Sequence, residues 1–453
     1  MPHCTIIGIT DNPAPWFPPE VAKAISCGKT FSGGRRHHEI VSRFLPQEHE
    51  WIEIVPPLGR VFERYDQVEG ELVLFASGDP LFYGFAATVR RERPAWELTV
   101  FPTFHSLQML AHRLCLPYQD MRAVSLTGRS WDGLDEALIS GESLIGCLTD
   151  HQRTPQTIWE RLERYGYDRF YTMSVGERLG NPHEERVTAD AGLEMCDLAS
   201  GEKEENSSVT FFPEREHLRQ GQMCDLASGK KEESSSVTFF PEREHLRQGQ
   251  MCDFQSPNCV ILRRKAVRPR PFGIPEKDFY HLDGRENMIT KMPARLLALS
   301  LLDLHHRRTL WDVGFCTGSV SIEAKLQHPH LNVVSFEVRA ECEQLMALNS
   351  QRHGTPGIRT VMGDFLSADL GDVPRPDSVF VGGHGGRLRE IVHRLHPLML
   401  PGATLVFNAV AGDSAACFEQ SVREEGMMLV SQTRLAVDDH NPLTIMKAVK
   451  CAV

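Results

Sequence analysis

Short apolar runs recur along the chain with helix-like stretches between them, and each run closes on Gly, Pro, Ser, Thr or Asp. In the first half they are Thr5 to Ile9, Glu71 to Ala76, Glu97 to Phe101, Ala123 to Leu126 and Ser143 to Leu148. Runs this short, alternating with helices, predict an α/β fold built on parallel sheet. Ligands in such sheets sit beyond the carboxyl ends of the strands, so the loops after the runs are where chemistry is sought. A strand from Cys259 to Leu262 leads into Arg263-Arg264-Lys265-Ala266-Val267-Arg268-Pro269-Arg270-Pro271, which reads as a basic, proline-bearing linker. A phosphate-binding patch is the alternative for that stretch. A second α/β unit follows, with strands at Thr309 to Val313, Asn332 to Phe336, Ser378 to Val381 and Ala403 to Asn408. Met427 to Leu435 and Pro442 to Val449 can close it as a hairpin, giving one Rossmann-like domain.

Length bears on how many such units there are. At roughly 150 residues per domain, the 453 residues would hold two or three. Part of that length is a tandem repeat. Residues 195–222 and 223–250 differ only at Glu202/Lys230 and Asn206/Ser234. A third copy begins at Met251-Cys252-Asp253 and departs at Phe254. Taking 195–250 as a 56-residue insertion leaves 453 − 56 = 397 residues to interpret. Two units are too few for a solenoid, and cysteines 28 residues apart do not have metal-ligand spacing, so the insertion reads as a long surface loop.

The charge sum, 49 − 60 = −11, argues against a general nucleic-acid binder, which carries a basic surface. No stretch of about 18 apolar residues exists, so a membrane span is excluded. Met1-Pro2-His3-Cys4 lacks the basic start of a signal peptide, and twelve cysteines without a C-x-x-C pair suit a reducing cytoplasm. No metal site is expected.

The most informative string of the second unit is Asp312-Val313-Gly314-Phe315-Cys316-Thr317-Gly318-Ser319. It follows a strand and opens a helix. Its glycines permit a tight turn and close approach of a ligand to backbone, and the helix N-terminus favours anionic groups. Glu337 closes the next strand, 23 residues after Gly314, where a carboxylate accepts hydrogen bonds from ribose hydroxyls. Asp364 and Phe365, in Met362-Gly363-Asp364-Phe365, are placed to face an adenine. The loop reads D-x-G-x-x-T-G rather than the G-x-G-x-x-G of dinucleotide binders, which favours S-adenosyl-L-methionine over a nicotinamide cofactor. In the first half, Ser77-Gly78-Asp79-Pro80-Leu81-Phe82-Tyr83-Gly84 closes a strand with exposed backbone, and Asp79 is placed to cap the next helix.

These strings resemble known families. Thr290-Lys291-Met292-Pro293-Ala294-Arg295, the Gly314 loop, and Val381-Gly382-Gly383-His384-Gly385-Gly386 resemble the decarboxylating precorrin methyltransferases of cobalamin synthesis over 273–450. The resemblance departs at Phe315-Cys316, where the family has Ala-Gly. The Gly78-Asp79-Pro80 string resembles the tetrapyrrole methylases, C-5 methylating members most of all, with support from Gly8, Ser106, Leu126 and Thr154. There Thr127 stands where that family has His. Together they imply a two-lobed tetrapyrrole methylase domain over 1–262, a linker over 263–275, and a Rossmann-like class I S-adenosylmethionine methyltransferase domain over 276–453. The implied reaction is methylation of a corrin precursor at C-5 and C-15 with loss of an acetate carboxylate. The resemblance implies one S-adenosyl-L-methionine per domain. Its contacts would come from Gly8, Gly78, Asp79, Pro80, Ser106, Leu126 and Thr154 in the first domain. In the second they would come from Thr290, Gly314, Phe315, Cys316, Thr317, Gly318, Glu337, Asp364 and Phe365. Lys291 and Arg295 are the expected cations for the departing carboxylate, and His384 the group that moves a proton. The expected partner is the tetrapyrrole itself, with no nucleic acid and no membrane, and family analogy implies a homo-oligomer. A methylase acting on RNA or protein, and a non-catalytic pathway scaffold, are the competing readings.

Overall fold

The computed structural model describes residues 3–191, 254–410, 412–437 and 442–451. The tandem insertion 195–250 lies outside them, and so does the surface-loop reading of it. Three sheets carry the fold. The first contains β1 (His3–Ile9), β2 (Thr30–Gly33), β3 (Glu50–Glu53), β4 (Glu71–Ser77) and β5 (Glu97–Phe101), all parallel, in the order β3-β2-β4-β1-β5. Its central strands are continuous apolar runs because helices cover both faces. Ile6, Val73, Leu74 and Phe75 have essentially no exposed surface. β2 and β3 carry no comparable apolar signal. The TFSG of β2 is wholly buried because Ser32 donates to the Ile52 carbonyl at 2.6 Å and meets the Tyr65 hydroxyl at 2.6 Å. Both polar groups are satisfied inside, which sequence pattern does not reveal.

The second sheet holds β6 (Arg122–Ser125), β7 (Leu144–Leu148), β8 (Tyr171–Glu177), β9 (Arg186–Ala191) and β10 (Asn258–Arg264), in the order β6-β7-β10-β8-β9. Only β6 and β7 run parallel; β10 pairs antiparallel with both β7 and β8. The expectation of parallel sheet throughout is therefore corrected here. β10 enters after the insertion and slots between two strands already formed earlier in the chain, a placement no local signal encodes.

The third sheet is β11 (Thr309–Val313), β12 (Asn332–Glu337), β13 (Ile358–Met362), β14 (Ser378–Val381), β15 (Thr404–Ala409), β16 (Met428–Leu435) and β17 (Leu443–Val449). Its order, β13-β12-β11-β14-β15-β17-β16, keeps the doubly wound core and adds an antiparallel hairpin with β17 inserted next to β15. Every residue of β11 is buried, as its central position requires. The basic stretch after β10 does more than connect. Arg263 and Arg264 belong to β10, Arg268 lies over the Tyr167 ring at 4.7 Å and reaches the Arg352 carbonyl, and Arg270 donates to the Ile139 carbonyl. Tyr167 also donates to the Gly354 carbonyl at 2.8 Å. Ile139 packs in one apolar cluster with Ile274, Phe279 and Phe315, so the first half of the chain is keyed onto the second. No helix among the described residues is long and apolar enough to cross a membrane.

Candidate active sites

The ends of β1 and β4 and the loop after β5 meet backbone to backbone. The Gly78 amide donates to the Ile9 carbonyl, and the Thr103 amide approaches the Gly78 carbonyl. A Cβ at Gly8 would stand 2.0 Å from the Gly78 carbonyl oxygen, and one at Gly78 would stand 2.7 Å from the His105 Cα. Gly78 also has φ +64°, so only glycine fits this junction without strain. Beneath it, between the first two sheets, lies a cavity of about 430 Å³, within the range of small-molecule sites. Gly78 and Ser106 line it, joined by Asp11, Arg36, His37, Tyr83, Thr127 and Thr149.

The other first-half candidates are placed around this cavity rather than in its wall. Asp79 accepts from the Leu81 amide at 2.9 Å and so closes a local turn; the expectation that it caps the next helix is corrected, because that helix, Phe85–Glu92, begins at Gly84 without a side-chain cap. Pro80 is buried, and its carbonyl accepts from Ala86. Leu126 is fully buried, with its amide given to the Leu148 carbonyl. Thr154 caps the helix Pro155–Arg164 by accepting from the Thr157 amide. Arg36 and His37 were missed as candidates. The Gly33-Gly34-Arg35-Arg36-His37-His38 string that ends β2 was the available signal.

The second site is built from one loop against another. Gly314 (φ +81°) leaves β11, and a Cβ on it would lie 2.5 Å from the Gly383 amide nitrogen and 2.6 Å from its carbonyl oxygen. Cys316 (φ +49°) and Gly318 (φ +75°) complete the turn into the helix Ser319–Gln327. Glu337, almost wholly buried at the end of β12, splints the turn. One carboxylate oxygen accepts from the Cys316 amide at 3.0 Å, and the other accepts from Val338 and Arg339. The Cys316 thiol donates to the Met288 carbonyl at 3.0 Å, and burial pushes its pKa up, so it stays protonated. This contact, with Ile289 packed in the Phe315 cluster, brings the segment before Lys291 onto the loop. Two buried polar atoms beside the turn, Thr317 Oγ1 and Asp312 Oδ1, have no hydrogen-bond partner. Burial raises the Asp312 carboxyl to about 7, although its other oxygen accepts from Ser321 at 2.6 Å.

Two expectations are corrected by burial. Arg295 has no exposed surface. Its guanidinium pairs with Glu323 at 3.2 Å and donates to the carbonyls of Thr290 and Ile274. It cannot meet a substrate carboxylate; it ties the Thr290–Lys291 segment to the helix Ser319–Gln327. Phe365 is 6% exposed and packs edge-on against Trp311 and Phe336, so it is core and not an adenine platform. The Phe315 side chain is likewise core, and its amide and carbonyl are spent on Phe336 and Gly318. Asp364 is partly exposed and pairs with Arg387 through both oxygens, at 3.0 and 2.8 Å, which holds its carboxyl below the usual range. Lys291 is half-buried at the N-cap of the helix Met292–Leu302. His384 is half-buried in the Gly383 loop, accepts from the Gly386 amide through Nδ1, and is shifted down by burial, so it is neutral near pH 7.

A doubly wound sheet with a backbone cradle of glycines and a carboxylate at the end of its second strand defines a class of nucleotide-type cofactor enzymes. A family model described as "Precorrin methyltransferase domain" matches residues 278–453. The precorrin-6Y C(5,15)-methyltransferase [decarboxylating] of Sinorhizobium sp. is 27% identical over 92% of this chain and 86% of its own length. The cobalt-precorrin-6B C(15)-methyltransferase (decarboxylating) of Salmonella typhimurium is 38% identical over 30% of this chain and 68% of its own. A crystal structure of the precorrin-6y C5,15-methyltransferase from Geobacter metallireducens GS-15 is 28% identical, with a TM-score of 0.37, over 40% of this chain and 98% of that one. The chain belongs to the decarboxylating precorrin methyltransferase family.

Proposed function

We propose that this chain methylates a precorrin macrocycle, or its cobalt form, at C-5 in its first domain (1–262) and at C-15 in its second (276–453). The second domain also releases carbon dioxide from an acetate arm. The observation that carries this reading is the pair of backbone cradles, Gly8–Gly78 and Gly314–Gly383, in a chain whose relative is named for both positions and matches along 92% of it. S-adenosyl-L-methionine, one per domain, supplies an electrophilic methyl group when bound. The residues fit it at the second site. Gly314, Cys316 and Gly318 hold the left-handed turn, the buried Glu337 carboxylate lies against it, and Thr317 Oγ1 is a buried hydroxyl that lacks a partner. At the first site, Gly78 and Ser106 line the cavity that would hold it.

Methyl transfer from a sulfonium is an in-line displacement, so the protein's task is alignment and exclusion of water. Gly314 and Gly383 achieve this by pressing two loops together. Arg295 positions the Lys291 segment, and Lys291 is the cation left to orient the departing carboxylate. Neutral His384 carries its ring proton on Nε2, because Nδ1 accepts from the Gly386 amide, so the Nε2–H is the group placed to donate a proton. The enzyme is read as a cytoplasmic homo-oligomer acting on this small molecule, with no nucleic acid or membrane partner. Anaerobic incubation with precorrin-6B and S-adenosyl-L-methionine tests the proposal. The product should gain two methyl groups and lose one carbon dioxide. Methylated RNA or protein with an unaltered tetrapyrrole would refute it.

A further inference from the structure

We propose that Arg36 is the carboxylate anchor of the first cavity, the residue that receives an acidic arm of the macrocycle. The inference rests on the tetrapyrrole reading above and adds the residue that recognises the substrate. Such a substrate presents several carboxylates around an apolar ring system, while the chain itself carries a net charge of −11. A cavity that receives one of its acidic arms beside the cofactor needs a cation inside. Arg36 is the one arginine or lysine among the described residues lining the cavity. Its side chain is 35% exposed. One of its nitrogens donates to Ser77 Oγ at 2.9 Å, and another lies 3.4 Å from Asp11 Oδ1.

That ion pair is incomplete. Asp11 is nearly buried, and its charge is already met by Arg178, whose Nε donates to the other oxygen at 2.8 Å. Asp11 Oδ1 makes no hydrogen bond, so Arg36 attends Asp11 without donating to it. No hydrogen bond of Arg36 other than the one to Ser77 is formed among the described residues, and most of its five donors remain free for a planar bidentate partner. His37 cannot supply the charge in its place. Its Nδ1 accepts from the Gly34 amide, and its Nε2 lies 2.9 Å from the same Ser77 hydroxyl. The cavity lining also includes two exposed aromatic side chains, Tyr83 and Phe104, exposed by 43 and 56%. Aromatic side chains and a held guanidinium in one cavity match an apolar ring bearing an acidic arm.

The test uses the full-length chain with Arg36→Ala, Arg36→Gln and Arg36→Lys. Transfer to C-5 is followed separately from transfer and decarboxylation at C-15, so the second domain reports folding in every variant. Losing a charge-assisted hydrogen-bonded pair should raise KM for C-5 methylation about ten- to a hundredfold in Arg36→Ala and Arg36→Gln. Arg36→Lys should fall between them and the wild type, because it keeps the charge and loses the fork. Calorimetric affinity for S-adenosyl-L-methionine should stay within about twofold of the wild type at both sites. An unchanged KM overturns the proposal. So does a fall in cofactor affinity at the first site, which would make Arg36 a cofactor residue. If the wild type transfers no methyl to C-5, the reading of the first domain itself fails and the anchor fails with it. That result is visible before any variant is made.

Discussion

The two sites answer one chemical demand with different construction. The second is a loop wound on itself, Gly314 to Gly318, pressed on Gly383 and splinted by Glu337. Almost all of it comes from three short stretches of chain at the ends of neighbouring strands. The first is a walled cavity between two sheets, with side chains drawn from Asp11, Arg36, Ser77, Ser106, Thr127 and Asn258. A backbone cradle depends on local conformation. A walled cavity depends on long-range packing. The two should therefore fail differently.

The sharpest contrast comes from adding a small side chain to a glycine in each half. Gly314→Val drives a branched side chain into Gly383 at a φ of +81°, and should abolish C-15 methylation and decarboxylation while C-5 transfer persists. Gly8→Ala, with its Cβ 2.0 Å from the Gly78 carbonyl, should do the reverse. Mass analysis of the product separates the two outcomes, and loss of both activities in either variant would break the comparison. Next in size is Arg295→Met. It leaves Glu323 buried and unpaired, and should cost about 3–5 kcal/mol of stability in denaturant unfolding. Preserved stability would show that the pair does not hold the Lys291 segment. Smaller again is Glu337→Gln. Removing the charge should weaken cofactor binding at the second site about tenfold, read by calorimetry, with the first site unchanged.

The smallest expected effect is in pH. His37 and His105, in the first domain, are both pushed down from 6.5 to about 4, chiefly by burial. Between those values the unfolded chain binds more protons, so the first domain loses stability as pH falls through that window. Asp312, in the second domain, is pushed up from 3.8 to about 7 by burial. There the folded state binds more protons, so this group costs stability as pH rises from about 4 to 7. Hydrogen exchange resolved by domain should show opposite trends from these groups, and Asp312→Asn should flatten the trend in the second.

Legibility in the sequence followed the same division. Most of the strands could be placed from apolar runs, because a strand covered on both faces must be apolar along its length. β2 and β3 could not. Ser32 is satisfied by Ile52 and Tyr65, partners that exist only once the sheet is formed. The antiparallel entry of β10 was hidden for a similar reason. In the second site the turn, Glu337 and the Gly383 loop were legible, since each is a contiguous motif closing a strand. Arg295 and Phe365 were misread because a motif shows which residues are near one another in sequence, not which way their side chains are buried.

What the residues determined alone was the alternation of strands and helices, the glycine positions that tolerate no Cβ, and the carboxylate that closes the second strand of the second domain. These depend on backbone sterics and on spacing along one chain segment. Tertiary structure alone decided which cations face a ligand and which are spent inside. Arg295 and Arg36 are both arginines flanked by motif residues. One is sealed against Glu323 with no exposed surface, and the other stands in a cavity with an incomplete partner. Burial is a property of everything packed around a side chain, and no local stretch of sequence carries that information.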